Sequence, residues 1–180
     1  MVLSDAEKLK RYVLLKRMIP KIVRRTIKAK QKEIIQGERS LEAQLPDRYK
    51  KETQDYDVYS QNPKQSAKET EKELDWEFGG DYFKVKPSGH KGTYKVVSNI
   101  DGEDWADYTK PQEKTPNIQI GDTRYTTLRF ELMKAIRTLK QKKYAYRYEK
   151  EKNKIRRITN ALRHQIKNPK NLKGIRMRWL

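Results

Sequence analysis

The sequence predicts a mainly α protein: a long basic helix at the N-terminus and a long basic helix near the C-terminus, packed as a helical bundle with a small β-hairpin insertion. Apolar residues recur every three or four positions in both end regions, the spacing of a helix that packs along one face. Cap signals bracket both regions. Positive charge is confined to them: residues 1–37 carry a net +8 and residues 127–180 a net +15, whereas 38–81 carry −5 and 82–126 only +1. The 180 residues hold 43 Lys and Arg against 24 Asp and Glu, and the resulting +19 implies a polyanionic partner.

In the first region Ser4-Asp5-Ala6-Glu7 spells a capping box, and Gly37 supplies a C-terminal stop. Pro20 lies between them and predicts a bend, because it removes a backbone hydrogen bond and crowds the preceding turn. Tyr12, Leu15, Ile19, Ile22, Thr26 and Ala29 form the packing stripe; Arg17, Lys21, Arg24, Lys28 and Lys32, with Arg25 beside them, form the opposite one. That basic stripe is the first candidate phosphate-binding surface.

Residues 38–62 read as loop or short helix. Asn62-Pro63 opens a helix that runs to Phe78 and is closed by Gly79-Gly80, with Glu69, Glu71, Glu73, Asp75 and Glu77 facing solvent or the basic helix of a neighbouring subunit. Tyr82–Lys86 and Thr93–Ser98 alternate around Pro87–Gly92 and predict a β-hairpin. Its Gly89-His90-Lys91-Gly92 tip matches the GxxG of KH domains only in letters, since it joins strands and not helices. Asp101, Glu103, Asp104 and Asp107 then have the chemistry to hold a hard cation, but their spacing fits no EF-hand loop and a turn with solvated acids is favoured.

After a linker over 109–121, Asp122 or Thr123 caps the second long helix, which reaches Ile166 and is ended by Asn168-Pro169. Leu128, Leu132, Ile136, Leu139, Ile158, Leu162 and Ile166 supply its packing side. Lys134, Arg137, Lys140, Lys143, Arg147, Lys150, Lys154 and Arg157, with Arg156 adjacent, form the second candidate nucleic-acid-binding stripe. Tyr144, Tyr146 and Tyr148 interrupt it, and a packing anchor is favoured for them over stacking on bases. Ile175–Leu180 alternates apolar and Arg residues like a strand. The chain thus divides into a basic helical arm, 1–37, and one small helical domain, 38–180, made of an acidic segment (38–81), a hairpin and loop insert (82–122), the basic helix (123–167) and a tail (168–180).

Chemistry is sparse in this reading. There is no cysteine and there are two histidines, His90 and His164, which disfavours thiolate catalysis, disulfides and His- or Cys-based metal sites. No phosphate-binding glycine loop, nucleophile elbow or zinc-protease motif occurs. The expectation is a non-enzymatic protein with no cofactor and no metal site, and with no apolar run long enough to span a membrane. Basic residues spread along helix lengths grip phosphates without reading bases, so the predicted role is packaging double-stranded DNA. A ribosomal or other ribonucleoprotein subunit on structured RNA is the alternative.

The long basic helix Ser4–Gln36, the basic helix Thr123–Ile166 and the missing cysteines give a layout that resembles the coat proteins of archaeal filamentous viruses, the rudivirus and lipothrixvirus group. That resemblance implies a helical capsid of self-associating or paired subunits around duplex DNA, located in the virion; without it the expected location is a cytoplasmic nucleoprotein assembly. The hairpin and the acidic stretch depart from the family's all-helical bundle.

Overall fold

The structure is a computed structural model and describes residues 4–167. Its elements in chain order are α1 (Asp5–Leu15), a 3₁₀ turn (Lys16–Met18), α2 (Ile19–Ala29), β1 (Ile34–Gln36), α3 (Gly37–Gln44), a second 3₁₀ turn (Asp47–Tyr49), β2 (Tyr56–Tyr59), α4 (Pro63–Phe78), β3 (Phe83–Pro87), β4 (Thr93–Ser98), β5 (Asp104–Thr109), β6 (Asn117–Ile120), β7 (Thr123–Thr126), α5 (Leu128–Leu139), a 3₁₀ segment (Lys142–Arg147) and α6 (Tyr148–Lys167). The strands form one seven-stranded mixed sheet in the order β3-β4-β5-β2-β1-β7-β6. β2 runs parallel to β5 and β1 parallel to β7, while every other pairing is antiparallel.

This corrects the mainly α expectation: the fold is α/β. The strands that periodicity missed are three to six residues long, and β1 and β7 lie next to helices. Glu33–Gln36 passes for a last helical turn and Thr123–Thr126 for a first one, because so few residues cannot display a period of two. Pairing partners far along the chain decide their state.

Local chemistry was legible where it is self-contained. The Ser4 side chain accepts from the Glu7 N–H and the Glu7 carboxylate accepts from the Ser4 N–H, completing the capping box. Pro20 stands in the first turn of α2, after the 3₁₀ turn that breaks the first helix. Gly79 closes α4 in the left-handed conformation at φ 71°, where a glycine has no Cβ to crowd the carbonyl. The hairpin β3–β4 forms in register Phe83↔Ser98 to Pro87↔Tyr94. The C-terminal strand-like run Ile175–Leu180 and the Asn168-Pro169 stop lie outside the described residues.

One face of the sheet is closed by α1, α2 and α4. Tyr12, Ile19, Ile22, Val23 and Ile27 from the first two helices meet Ala67, Leu74 and Phe78 of α4 and Ile35, Tyr56, Val58, Ala106 and Tyr108 of the strands. A polar thread crosses this core, with the Thr70 hydroxyl 3.1 Å from that of Thr26 and 2.7 Å from that of Tyr108. The acids of α4 serve their own chain: Glu73 and Glu77 each lie 2.5 Å from Arg25, Glu69 lies 2.5 Å from Lys30, and Asp75 accepts the Tyr82 and Phe83 N–H groups. A second cluster, Leu41, Leu45, Leu128, Ile158 and Ala161, joins α3, α5 and α6. Phe130 of α5 meets the Tyr59 ring edge-on at 6.3 Å, which places α5 over the opposite face of β2 from the main core.

Phe78 is fully buried among the rings of Tyr12, Tyr82 and Phe83, at centroid distances of 6.0, 5.4 and 5.1 Å. Phe78→Ala is therefore expected to cost about 3–5 kcal/mol, read as a lower urea midpoint at unchanged slope; a loss below about 1 kcal/mol would show that the aromatic cluster does not organise this face.

Candidate active site

The alternation of β2 sends Tyr56 and Val58 into the core and Asp57 to the other face. Register then builds a polar row across four strands. Lys95 of β4 pairs with Asp107 of β5, Asp107 with Asp57 of β2, and Asp57 with Gln36 of β1. Asp55 stands two residues before Asp57, just ahead of β2, and its carboxylate accepts a hydrogen bond from the Thr53 hydroxyl.

Asp57 and Asp107 are carboxylates side by side and half-buried. Burial pushes the Asp57 carboxyl above the usual aspartate range, with Asp55 and Glu131 adding to the rise and Lys134 and Lys154 opposing it. Burial likewise lifts Asp107 to about 6, with Asp57 and Asp104 contributing and Lys95 opposing. Lys95 lies 3.5 Å from Asp107 and also pairs with Asp104. Two neighbouring acids that resist ionisation, with cations at both ends of the row, make a site that gains from a bound positive charge.

Against this row comes the turn from β1 into α3. Gly37 has φ +67°, and a Cβ built on it would stand 2.5 Å from Asp57 Oδ2. The lack of a side chain lets backbone approach the carboxylate, and the Gly37 N–H donates to Glu131 Oε1 at 2.9 Å. Glu131 is fully buried and also accepts from the Thr126 hydroxyl at 2.7 Å, with Lys154 Nζ 3.5 Å away. Burial would raise its carboxyl, but Lys134, Lys154 and these donors outweigh that and hold it below the usual range. Lys134 donates to Gln36 Oε1 and sits over the Tyr59 ring. Arg39 secures the approach to β2, donating to the Gln54 carbonyl at 3.2 Å and lying 4.6 Å from the centre of the Tyr56 ring.

Of the basic residues singled out from sequence, only Lys134 and Lys154 stand at this row. Arg25 and Lys28 are taken by Glu73 and Glu77 and by Asp122; Arg157 is held by Glu38 and the Tyr49 carbonyl; Arg147 pairs with Glu151 and Arg137 with Glu113. Arg156 hydrogen-bonds Asn153, while Arg17, Lys21, Arg24, Lys32, Lys140, Lys143 and Lys150 are exposed. The first stripe lies on helices that cover the face opposite the carboxylates, so the two stripes do not merge into one surface. The acids read as a solvated turn also part company: Asp101 binds Tyr12 and Lys16, Asp104 binds Lys95, and Asp107 enters the row.

Sequence reasoning missed Asp55 and Asp57, assigned Asp107 to a solvated turn and Gly37 to a helix stop. The signal available was Asp55-Tyr56-Asp57-Val58-Tyr59, an alternation that puts two carboxylates on one side of a strand, following an Ile-Ile-Gln-Gly run. Among the described residues no three His, Cys, Asp or Glu side chains converge into a ready metal cage. A magnesium ion does not need one, since it is commonly held by one or two carboxylates together with substrate phosphates and water.

No family model and no curated protein matches the chain by sequence. The fold, however, is similar to the crystal structure of the Megavirus polyadenylate synthase, with a TM-score of 0.70 at 21% identity over 82% of this chain. The chain spans 31% of that protein. A shared mixed α/β sheet with a polyadenylate synthase overturns the archaeal coat-protein resemblance and, with it, the reading of a capsid-forming, non-enzymatic packaging protein. The same basic helices and missing cysteines suit a small α/β domain equally well, so they never separated the two. Among the described residues no helix is long and apolar enough to cross a membrane.

Two outcomes follow from this geometry. Gly37→Ala places a side chain both at positive φ and against Asp57, and is expected to lower Tm by roughly 4–8 °C, about 2 kcal/mol; a wild-type melting curve would refute the close approach. Because the folded Asp107 carboxyl holds its proton up to about pH 6 against 3.8 for the ordinary group, the unfolded chain binds fewer protons between those values and stability falls as pH rises through them. Asp107→Asn should accordingly be more stable than the native chain above pH 6, by on the order of 1–2 kcal/mol, and the two should converge below pH 4. Denaturation at both pH values reads the difference.

Proposed function

We propose that this chain is a nucleotidyltransferase domain that moves a nucleoside monophosphate from a nucleoside triphosphate to the 3′-hydroxyl of an RNA chain, with ATP as the favoured donor. The observation that carries the reading is the in-register pair Asp57 and Asp107 facing the side-chain-free turn at Gly37. The likeness in fold to a polyadenylate synthase supports it, and a net charge of +19 suits a polyanionic acceptor.

The residues fit a divalent cation. Asp57 and Asp107 would hold it together with a substrate phosphate, and their raised carboxyls mark a place where positive charge is wanted. When bound, such an ion neutralises phosphate charge and favours the ionised form of an attacking hydroxyl. The chain's own part is to hold the carboxylates in place. The missing side chain at Gly37 lets the β1–α3 turn pack against Asp57, Glu131 fixes that turn through the Gly37 N–H, and Lys95 and Lys134 flank the row as cations for the triphosphate. In the transfer, the acceptor oxygen bonds to the α-phosphorus, the bond from that phosphorus to the oxygen bridging to the β-phosphate breaks, pyrophosphate leaves, and the hydroxyl proton passes to solvent.

Incubation of the protein with labelled ATP, a short RNA and Mg²⁺ or Mn²⁺ should give extended RNA and pyrophosphate. Asp57→Asn and Asp107→Asn are each expected to lower the rate at least about a hundredfold, the scale of several kcal/mol of lost charge stabilisation. Failure to extend RNA with any of the four nucleotides, or full activity in Asp57→Asn, would sink the reading.

A further inference from the structure

In the N-terminal region Lys16, Arg25, Lys28 and Lys30 are each taken by a carboxylate of the same chain, while Arg17, Lys21, Arg24 and Lys32 are exposed without one among the described residues. A second group of unpaired cations stands where α5 passes into α6, and there it is joined by exposed aromatic rings. Between residues 140 and 152 stand six cations and only Glu149 and Glu151. Glu151 is buried and held by Arg147 at 2.8 Å, and Glu149 faces Lys152 at 3.5 Å. Lys140, Lys142, Lys143 and Lys150 are exposed, and among the described residues no carboxylate stands within ion-pair distance of them.

The same segment exposes aromatic rings. Tyr146 is 77% exposed and Tyr148 48%, so the packing role favoured for these residues by periodicity is not realised. The cause is local: the helix is interrupted by the 3₁₀ segment Lys142–Arg147, with Tyr144 at the non-helical φ −106°, ψ 21°. Rotating the chain out of α-helical register turns the tyrosines away from the α3–α5–α6 cluster. Lys143 and Lys152 lie 4.9 Å over the Tyr144 and Tyr148 rings, leaving Tyr146 as the open ring.

We propose that residues 140–150 form a docking ledge for single-stranded RNA, in which Tyr146 stacks on an unpaired base and Lys140, Lys142, Lys143 and Lys150 hold the adjoining phosphates. Exposed aromatic faces among unpaired lysines match a single strand, whose bases are free to stack, and give a duplex only its phosphates. Helix α5 ties the ledge to the carboxylate row: Glu131 in its first turn holds Gly37 and Lys134 reaches Gln36, and the helix then runs roughly 12 Å from Glu131 to the start of the ledge, at 1.5 Å per residue. The ledge rests on the transferase reading for its purpose, namely bringing a strand end toward the row, but its binding is measurable without catalysis.

The test is fluorescence anisotropy with labelled oligo(A), oligo(U) and a duplex of equal length, at low and moderate salt, on the full chain. Tyr146→Ala is expected to weaken single-strand binding about tenfold on both sequences and to leave duplex binding within about twofold. Lys142→Gln with Lys143→Gln should weaken every substrate and make the log affinity against log salt slope shallower, by about 0.7 for each single-strand phosphate that is no longer neutralised. Tyr146→Ala removes an exposed side chain, so its fold should be that of the parent. Single-strand affinity unchanged in both variants, or equal loss on duplex and single strand in Tyr146→Ala, would overturn the ledge. The two readings separate in the parent chain: a parent that binds through Tyr146 yet transfers no nucleotide keeps the ledge and removes the transferase, whereas a parent that transfers nucleotide while Tyr146→Ala binds single strands as it does removes the ledge alone.

Discussion

The buried carboxylate of Glu131 is the point on which the candidate site depends. It takes the Gly37 N–H from the β1–α3 turn and the Thr126 hydroxyl from the end of β7, and it faces Lys154 of α6. Three elements, α3, β7 and α6, are thereby tied to α5 through one side chain. Ser40 and Gln44 of α3 extend the tie by donating to the Thr126 carbonyl at 2.7 and 2.8 Å. A charge buried so completely is tolerable because Oε1 takes two donors and Lys154 lies 3.5 Å from Oε2, and the result is a fixed distance between Gly37 and Asp57. The second hydrophobic cluster, Leu41 with Leu128 and Ile158, surrounds this network and keeps water from loosening it.

The two basic halves of the chain end in different circumstances. Arg25 of α2 and Lys30 just past its end meet Glu73, Glu77 and Glu69 of α4, so part of the alternation of sign along the sequence becomes a charge-matched contact. Such exposed pairs contribute little stability each, and Arg17, Lys21, Arg24 and Lys32 remain exposed beside them. Among the described residues no carboxylate pairs with Lys140, Lys142, Lys143 or Lys150, where α5 passes into α6. Charge is thus directed by what each helix packs against, more than by how much of it each helix carries.

The elements legible in the sequence were those whose determinants are neighbours in the chain. The Ser4–Glu7 box, the Pro63–Phe78 helix with its Gly79 stop and the β3–β4 hairpin each need contacts within about a dozen residues. The site was not legible in the same way. Asp57 and Asp107 are fifty positions apart and meet only because β2 and β5 are parallel neighbours with β4 on the far side of β5. Within the chain, Asp55 and Asp57 look like members of an acidic loop, and Asp107 like a member of an acidic turn. Nothing in their immediate surroundings shows that strand pleating puts them on one face.

By itself the sequence determined the charge, the Ser4–Glu7 capping box, the interruption near Pro20, the Gly79 stop and the lack of cysteine, since these depend on composition and on hydrogen bonds spanning a turn; the expected Asp122 or Thr123 cap, the Gly37 stop and an unbroken helix to Ile166 gave way to a Thr127 cap, an end at Ala29 and a break at Lys142–Arg147. Tertiary structure alone decided that Ile34–Gln36 and Thr123–Thr126 are extended, that Tyr146 and Tyr148 face outward, and that Asp57 and Asp107 stand side by side with Gly37 against Asp57. The reason is that strand pairing and burial are set by partners remote in the chain, and a segment of three or four residues has too little propensity of its own to resist them.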